Sequence, residues 1–377
     1  MIPLFKVLMS NEVNKSLLEV LHSGYIGQGK VVEKLEHKLC DYLNTNNLLT
    51  TNSATSAEHL ALHLLKQPNE FIQLNNNDEV LTTPLTCMAT NAPITMSGLR
   101  IKWVDINENN LNIDIEDLKR KLTPFTKAIV VVHWGGYPVD LDAIKEVQLL
   151  YKQMFNKTIP VIEDCAHAFG SNFNKTPIGT HGNFCTFSFQ AIKMLTAVDG
   201  GALVTPTKQL YDQAKLLRWY GISRETTKTD MRCELDVAIA GTKWHMNDVN
   251  AIICLNNLEV VDKAIKKHKA NAKYYDNNLV NIPGVTLLKR DSRMDSAFWI
   301  YSILVDDRPG FMKMMGEKGI VVSQVHERND KHTCFSEFVS YLPTTDKIVP
   351  KLCNIPVGWW VSNEDREYIV DTIKGGW

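Results

Sequence analysis

The sequence predicts an α/β fold, with a mostly parallel central sheet followed by a smaller C-terminal α+β domain. Three observations predict it. Apolar runs rich in β-branched residues recur at 79–83, 101–106, 127–133, 159–163, 184–189 and 202–205. Their apolar positions are consecutive, as in strands buried on both faces of a parallel sheet. Helix-like segments lie between several of them, and repeated βα units imply a parallel sheet with helices on both faces.

Each element has its own signal. The segment 56–66 follows small hydroxyl residues of the kind that cap a helix. Asp140-Leu141-Asp142 opens a helix expected to reach about Phe155. The alternation then breaks, because Gly170, Pro177, Gly179 and Gly182 leave no room for a helix between Asp164 and Phe187. The runs at 184–189 and 202–205 therefore read as neighbouring strands joined by a loop. A long helix is expected over 247–279, where Val249, Ile252, Ile253, Leu255, Leu258, Val261 and Ile265 recur at three- and four-residue steps. Its basic stretch, 263–273, reads as a solvated face. After Pro283 the strand-like runs 285–288 and 299–305 and a helix over 311–318 read as the smaller domain. The boundary is expected between a large domain, 1–260, and a small one, 261–377.

Composition removes several classes. Hydrophobic residues make up 44% of the 377, enough for a sizeable core, and charged residues 22%. Basic and acidic side chains number 41 and 42, so neither nucleic acid nor an anionic membrane is expected as a partner. The longest purely apolar run, 128–132, is far short of a spanning helix. The start MIPLFKVLMSNE does not read as a signal peptide. None of the eight cysteines (Cys40, Cys87, Cys165, Cys185, Cys233, Cys254, Cys334, Cys353) forms a C-x-x-C pair. They read as buried free thiols in a reducing, cytoplasmic setting.

Few residues stand out for chemistry. Asp164 ends an apolar run, where it either meets a ligand or caps a turn. His167 follows three residues later. Lys193, between a strand-like run and Gly200-Gly201, is drawn inward by its neighbours, and a desolvated lysine is an amine nucleophile. The helix start Asn52-Ser53-Ala54-Thr55-Ser56-Ala57 is either a plain cap or a phosphate cradle. Gly24-Tyr25-Ile26-Gly27-Gln28-Gly29 lacks the spacing and the preceding strand of a dinucleotide fingerprint. His326, Glu327, Asp330 and His332 match no zinc template, and no metal is expected. Taken in order, however, a hydroxyl-rich helix start, a strand-end Asp with His, and Ser-x-x-x-x-Lys before Gly-Gly supply what pyridoxal phosphate needs: a phosphate cradle, a pyridinium partner and a Schiff-base lysine.

On these motifs the chain resembles the sugar-nucleotide aminotransferases of the DegT/DnrJ/EryC1/StrS family. The resemblance also rests on Gly27-Gln28-Gly29, Pro84-Leu85-Thr86, His133-Trp134-Gly135-Gly136-Tyr137-Pro138, Glu163-Asp164-Cys165-Ala166-His167, Phe187-Ser188-Phe189, Arg218-Trp219-Tyr220-Gly221 and Met246-Asn247-Asp248. It implies an aspartate-aminotransferase-like fold (fold type I) and a 4-aminotransferase of viosamine type, with pyridoxal 5′-phosphate as cofactor; the alternatives are a sugar 3-aminotransferase of the same family or a non-catalytic member. L-glutamate and a nucleotide-linked 4-keto-6-deoxyhexose are the implied substrates. Lys193 would bind the cofactor and shuttle a proton, Asp164 would pair with the ring nitrogen, and His167 would lie near the ring. Ser188, Thr55 and Ser56 would bind the phosphate. Lys243 stands where the family has an Asn reaching the phosphate from the other subunit, which implies a homodimer with shared sites. Where the family has an aromatic stacking residue this chain has Cys87-Met88, with Met88 or Cys87 as the substitute. Tyr25, Gln28, Lys30, His326 and Arg328 would flank the sugar nucleotide, with the cations and donors that a diphosphate needs.

Overall fold

A computed structural model of the chain describes residues 1–224 and 236–377. Cys233 lies outside the described residues. The central sheet has seven strands: β1 (Leu48–Thr51), β2 (Glu79–Thr82), β3 (Arg100–Trp103), β4 (Thr126–Val132), β5 (Val161–Asp164), β6 (Phe184–Ser188) and β7 (Gly201–Val204). They lie in the order β1-β7-β6-β5-β4-β2-β3, and β2 to β6 run parallel. Only β7 is antiparallel to its neighbours β1 and β6.

Alternate residues of these strands feed opposite cores. Val80, Val130, Ile162, Phe184 and Leu203 pack on one side, with Leu60, Ala61 and Leu64 of α1 (Ala54–Leu65). Leu81, Ile129, Val131 and Val161 face the other way, as do Cys185, Phe187 and Ala202. Burial on both faces explains why the runs are apolar without alternation. The breaker-rich stretch after Asp164 forms a small hairpin, Asn172–Phe173 with Thr176–Pro177. Helix α2 (Met88–Met96) follows β2 and contains Pro93, and α3 (Leu141–Phe155) starts on Asp140, whose side chain accepts from Ala143 N–H.

The 31-residue helix α4 (Asp248–Asn278) starts on Asn247, whose Oδ1 accepts from Asn250 N–H. The Asp248 carboxylate caps a different helix, Lys30–Leu43, taking N–H groups of Gly29 at 2.8 Å and Val32 at 3.1 Å. A Cβ at Gly29 would come within 2.7 Å of that carboxylate. The motif residues Gly29 and Asp248 thus have a shared structural reason. The boundary expected at 260/261 falls inside α4. Ala251, Cys254 and Val261 belong to a large-domain core, whereas Ala272 and Tyr275 belong to the C-terminal core. That second core covers a three-stranded antiparallel sheet, β8 (Val285–Leu287), β9 (Tyr301–Val305) and β10 (Leu352–Ile355), in the order β8-β9-β10.

Among the described cysteines all are free, and Cys165, Cys185, Cys254 and Cys353 are buried. Cys40 and Cys87 are half-buried and Cys334 is exposed, so burial does not extend to every thiol. Among the described residues no helix is long and apolar enough to cross a membrane.

Candidate functional site

Parallel strands bring their C-terminal ends to one edge of a sheet, and the site lies there. Asp164, the last residue of β5, is buried. Its Oδ1 accepts the Ala166 N–H at 2.9 Å and its Oδ2 the Thr90 hydroxyl at 2.6 Å. Lys193 follows β6, and its N–H donates to Gln190 O at 2.9 Å. Its Nζ lies 3.9 Å from the ring centre of Trp299 and makes no hydrogen bond among the described residues. Burial pushes the Lys193 pKa down to about 8, against the opposing pull of Asp164 and Cys87. An ammonium without hydrogen-bond acceptors is costly to bury, so the neutral, nucleophilic amine is reached at a lower pH than for an ordinary lysine.

Aromatic rings form the wall. The His167 ring stacks on Trp299 with centres 3.9 Å apart, and lies parallel to that of His326 at 5.6 Å. Trp134 meets both imidazoles edge-on at 6.0 Å. Burial and the charge of Lys193 push the His167 pKa well down and that of His326 to about 4. His167 Nδ1 accepts from Gly135 N–H at 3.4 Å, so its proton sits on Nε2. His326 Nε2 is buried without a hydrogen-bond partner among the described residues. Glu58 of α1, also buried, has one oxygen without a hydrogen-bond partner among the described residues, and burial with the nearby Asp164 charge pushes its pKa well up.

The phosphate-cradle candidate is the start of α1. Ser53 caps it by accepting from Ser56 N–H at 3.1 Å. Thr55 and Ser56 are half-buried in its first turn. β7 passes directly beneath: a Cβ at Gly201 would come within 2.4 Å of Ala54 N and Ser53 C. Ser188, buried at the end of β6, pairs in register with Gly201. An electrophile-seeking amine, a carboxylate at the strand end and a helix start thus occupy the ends of neighbouring strands. These residues fit pyridoxal phosphate: Lys193 and Asp164 for its ring, Thr55, Ser56 and Ser188 for its phosphate.

Other expected residues fall differently. Met88 packs, partly buried, onto the core beneath α1, whereas Cys87 lies near enough to act on the charges of Lys193 and Glu58. Trp299, which the sequence reading passed over, supplies the large aromatic surface. A single Trp opening an apolar run was its one signal. Lys243 is exposed, with its backbone bridged to Trp219. Tyr25 is 84% exposed, and Lys30 is exposed at the start of its helix. Gln28 is half-buried and accepts from Arg224 through its side chain at 2.8 Å and its carbonyl at 2.9 Å.

Arg328 is held in ion pairs. It is 6% exposed, and Asp330 takes its guanidinium in two bonds of 2.7 Å while Asp346 takes a third. Three of its five N–H groups are committed in this way, which leaves two for a substrate anion. Arg328→Ala would strand the Asp330 carboxylate, so we expect a loss of about 3 kcal/mol of stability. Thermal melting checks this, and both half-reactions should suffer alike, rather than KM for a sugar nucleotide alone.

His133, Glu163 and Cys165 also cluster beneath the site. Val139 N–H donates to His133 Nδ1 at 2.9 Å, so Nε2 carries the proton and donates to Glu163 at 3.0 Å. Asn183 donates to the second Glu163 oxygen at 2.7 Å. This cluster is a satisfied hydrogen-bond network that holds the turn at 134–138.

Comparison with known proteins adds independent findings. The model of the DegT/DnrJ/EryC1/StrS aminotransferase family matches residues 8–374. The chain is similar to the crystal structure of AtS13 from Actinomadura melliaura, at 45% identity and a TM-score of 0.95, covering 100% of this chain and 99% of that one. It is similar to the sugar aminotransferase CalS13 from Micromonospora echinospora, at 41% identity and a TM-score of 0.96, with both chains covered completely. An uncharacterized protein of Methanocaldococcus jannaschii, MJ1066, is 26% identical over 386 residues, covering 99% of this chain and 97% of its own.

Proposed function

The chain belongs to the DegT/DnrJ/EryC1/StrS aminotransferase family and takes pyridoxal 5′-phosphate as its cofactor; from that premise we propose that it moves an amino group from L-glutamate to C4 of a nucleotide-linked 4-keto-6-deoxyhexose. The product is a 4-amino-4,6-dideoxy sugar nucleotide of viosamine type. Full-length similarity to the sugar aminotransferase CalS13 supports a sugar substrate. The sequence resemblance to 4-aminotransferases supports the position. The observation that carries transamination is the Lys193 amine, without a hydrogen bond among the described residues, with its pKa lowered to about 8, beside a buried strand-end carboxylate. The free thiols of the described cysteines favour a reducing compartment, the cytoplasm in this reading.

Bound pyridoxal phosphate supplies an aldehyde that captures amines and a ring that takes up the electron pair freed beside it. The protein supplies the rest. With a pKa near 8, the Lys193 amine both accepts and returns a proton near neutrality. Asp164 holds a proton at the ring nitrogen. Neutral His167 keeps its Nε2–H as a donor beside Trp299, and the buried His326 Nε2, without a hydrogen bond among the described residues, is left for a substrate group to meet. Incubation with L-glutamate and a panel of 4-keto and 3-keto nucleotide sugars, with products identified by mass spectrometry and NMR, tests the reading. Amination at C3 alone would refute the position, and none at all the substrate class.

The shared site of a homodimer belongs to the same proposal. Lys243 is exposed and has no ion partner among the described residues, as a side chain that reaches into a neighbour's phosphate site requires. Lys243→Ala should lower cofactor retention. Mixed with Lys193→Ala, it should regain part of the activity, since each hybrid dimer holds one site with both residues intact. No recovery despite proven subunit exchange would place Lys243 outside any shared site.

A further inference from the structure

Thr90, buried in the first turn of α2, has no part in the roles assigned above. Its Oγ1 lies 2.6 Å from Asp164 Oδ2 and 2.7 Å from Thr86 Oγ1. A carboxylate only accepts, so Thr90 donates to Asp164; its one proton used, it accepts from Thr86. The chain has a single polarity, from the Thr86 hydroxyl through the Thr90 hydroxyl to the carboxylate. With Ala166 N–H on Oδ1 at 2.9 Å, a donor stands on each oxygen and the carboxylate plane is fixed.

The far end of this chain is anchored too. Asn329 Nδ2 donates to the Thr86 carbonyl at 2.9 Å, and Asn329 N–H donates to Pro84 O at 2.8 Å. Asn91 Nδ2 donates to Asn329 Oδ1, also at 2.9 Å. Thr86, Thr90, Asn91, Asp164 and Asn329 are all buried. A buried polar network whose members are satisfied selects one geometry over its alternatives. It also ties the segment that carries His326 to the strand that ends in Asp164.

We propose that Thr90 is a positioning residue, whose hydroxyl, oriented by Thr86, aims the Asp164 carboxylate at the cofactor ring. This rests on the reading of Asp164 as the partner of the ring nitrogen.

The test titrates the apo-protein with pyridoxal phosphate and, separately, with inorganic phosphate. Each is followed by quenching of tryptophan emission and by calorimetry. Thr90→Val keeps the side chain's shape and removes its donor. Affinity for pyridoxal phosphate should fall about tenfold, while affinity for inorganic phosphate stays unchanged. Thr90→Ser should stay within about threefold of the parent. In an Asp164→Asn background, Thr90→Val should add no further loss, because the two act as one unit. If Thr90→Val does not fold, Thr86→Val, which removes the donor to Thr90, carries the same pattern at about threefold. Equal losses in both backgrounds, or an equal fall in phosphate affinity, would overturn the proposal. So would full affinity in Thr90→Val while Asp164→Asn binds weakly, although the reading of Asp164 would then survive. Full affinity in Asp164→Asn itself would overturn both.

Discussion

Lys193→Ala should have no measurable turnover and should trap no cofactor on reduction with borohydride. No other side chain at the site can both capture the cofactor's aldehyde and return a proton. Fold and chemistry should separate cleanly in this variant. The Lys193 pKa is lowered from 10.5 to about 8 in the folded chain, so the unfolded chain binds its proton more readily. Folding is therefore penalised in full below about pH 8, and the penalty fades as pH rises from there toward the ordinary lysine value. Removing the amine should leave the apo-protein at pH 7 melting no lower than the parent. A lower melting point, or cofactor still trapped by borohydride, would show that Lys193 is a structural residue.

Asp164→Asn should cost at least about a hundredfold in kcat/KM, roughly 3 kcal/mol of transition-state stabilisation. The substitution keeps the volume and a hydrogen-bonding group but removes the negative charge that keeps a proton on the ring nitrogen. It also disturbs the hydroxyl chain, since an amide turned with its NH₂ toward Thr90 would meet the donor that Asp164 now receives. Single-turnover measurements with L-glutamate separate this loss from product release. Near-parental rates would return Asp164 to the status of a turn residue.

Much of this architecture was legible in the residues because burial on both sheet faces writes itself as uninterrupted apolar runs. The six expected strands match observed ones to within a few residues, and the long helix matches α4 with its Asn247 cap. β1 escaped notice because Leu48–Thr51 is only four residues long and half threonine. α2 escaped because Pro93 argues against a helix, and its segment MATNAPITM is fixed by side-chain bonds of Thr90 and Asn91 to distant partners. The candidate site stood out where chemistry demands a residue type, as at Lys193 and Asp164, which the fold brings to the ends of neighbouring strands. It was not legible where tertiary pairing decides the role. Arg328 looks like a free cation in the sequence and is paired with Asp330 and Asp346 in the fold. Trp299 carries no motif, yet lies against both Lys193 and His167.

The long helix has a thermodynamic consequence. One continuous run of backbone hydrogen bonds, about 46 Å long, inserts its first half into one core and its second half into another. Unwinding either half removes the scaffold on which the other is packed. Heat or denaturant should therefore remove both cores of the apo-protein in one transition, and two resolved calorimetric transitions would overturn this.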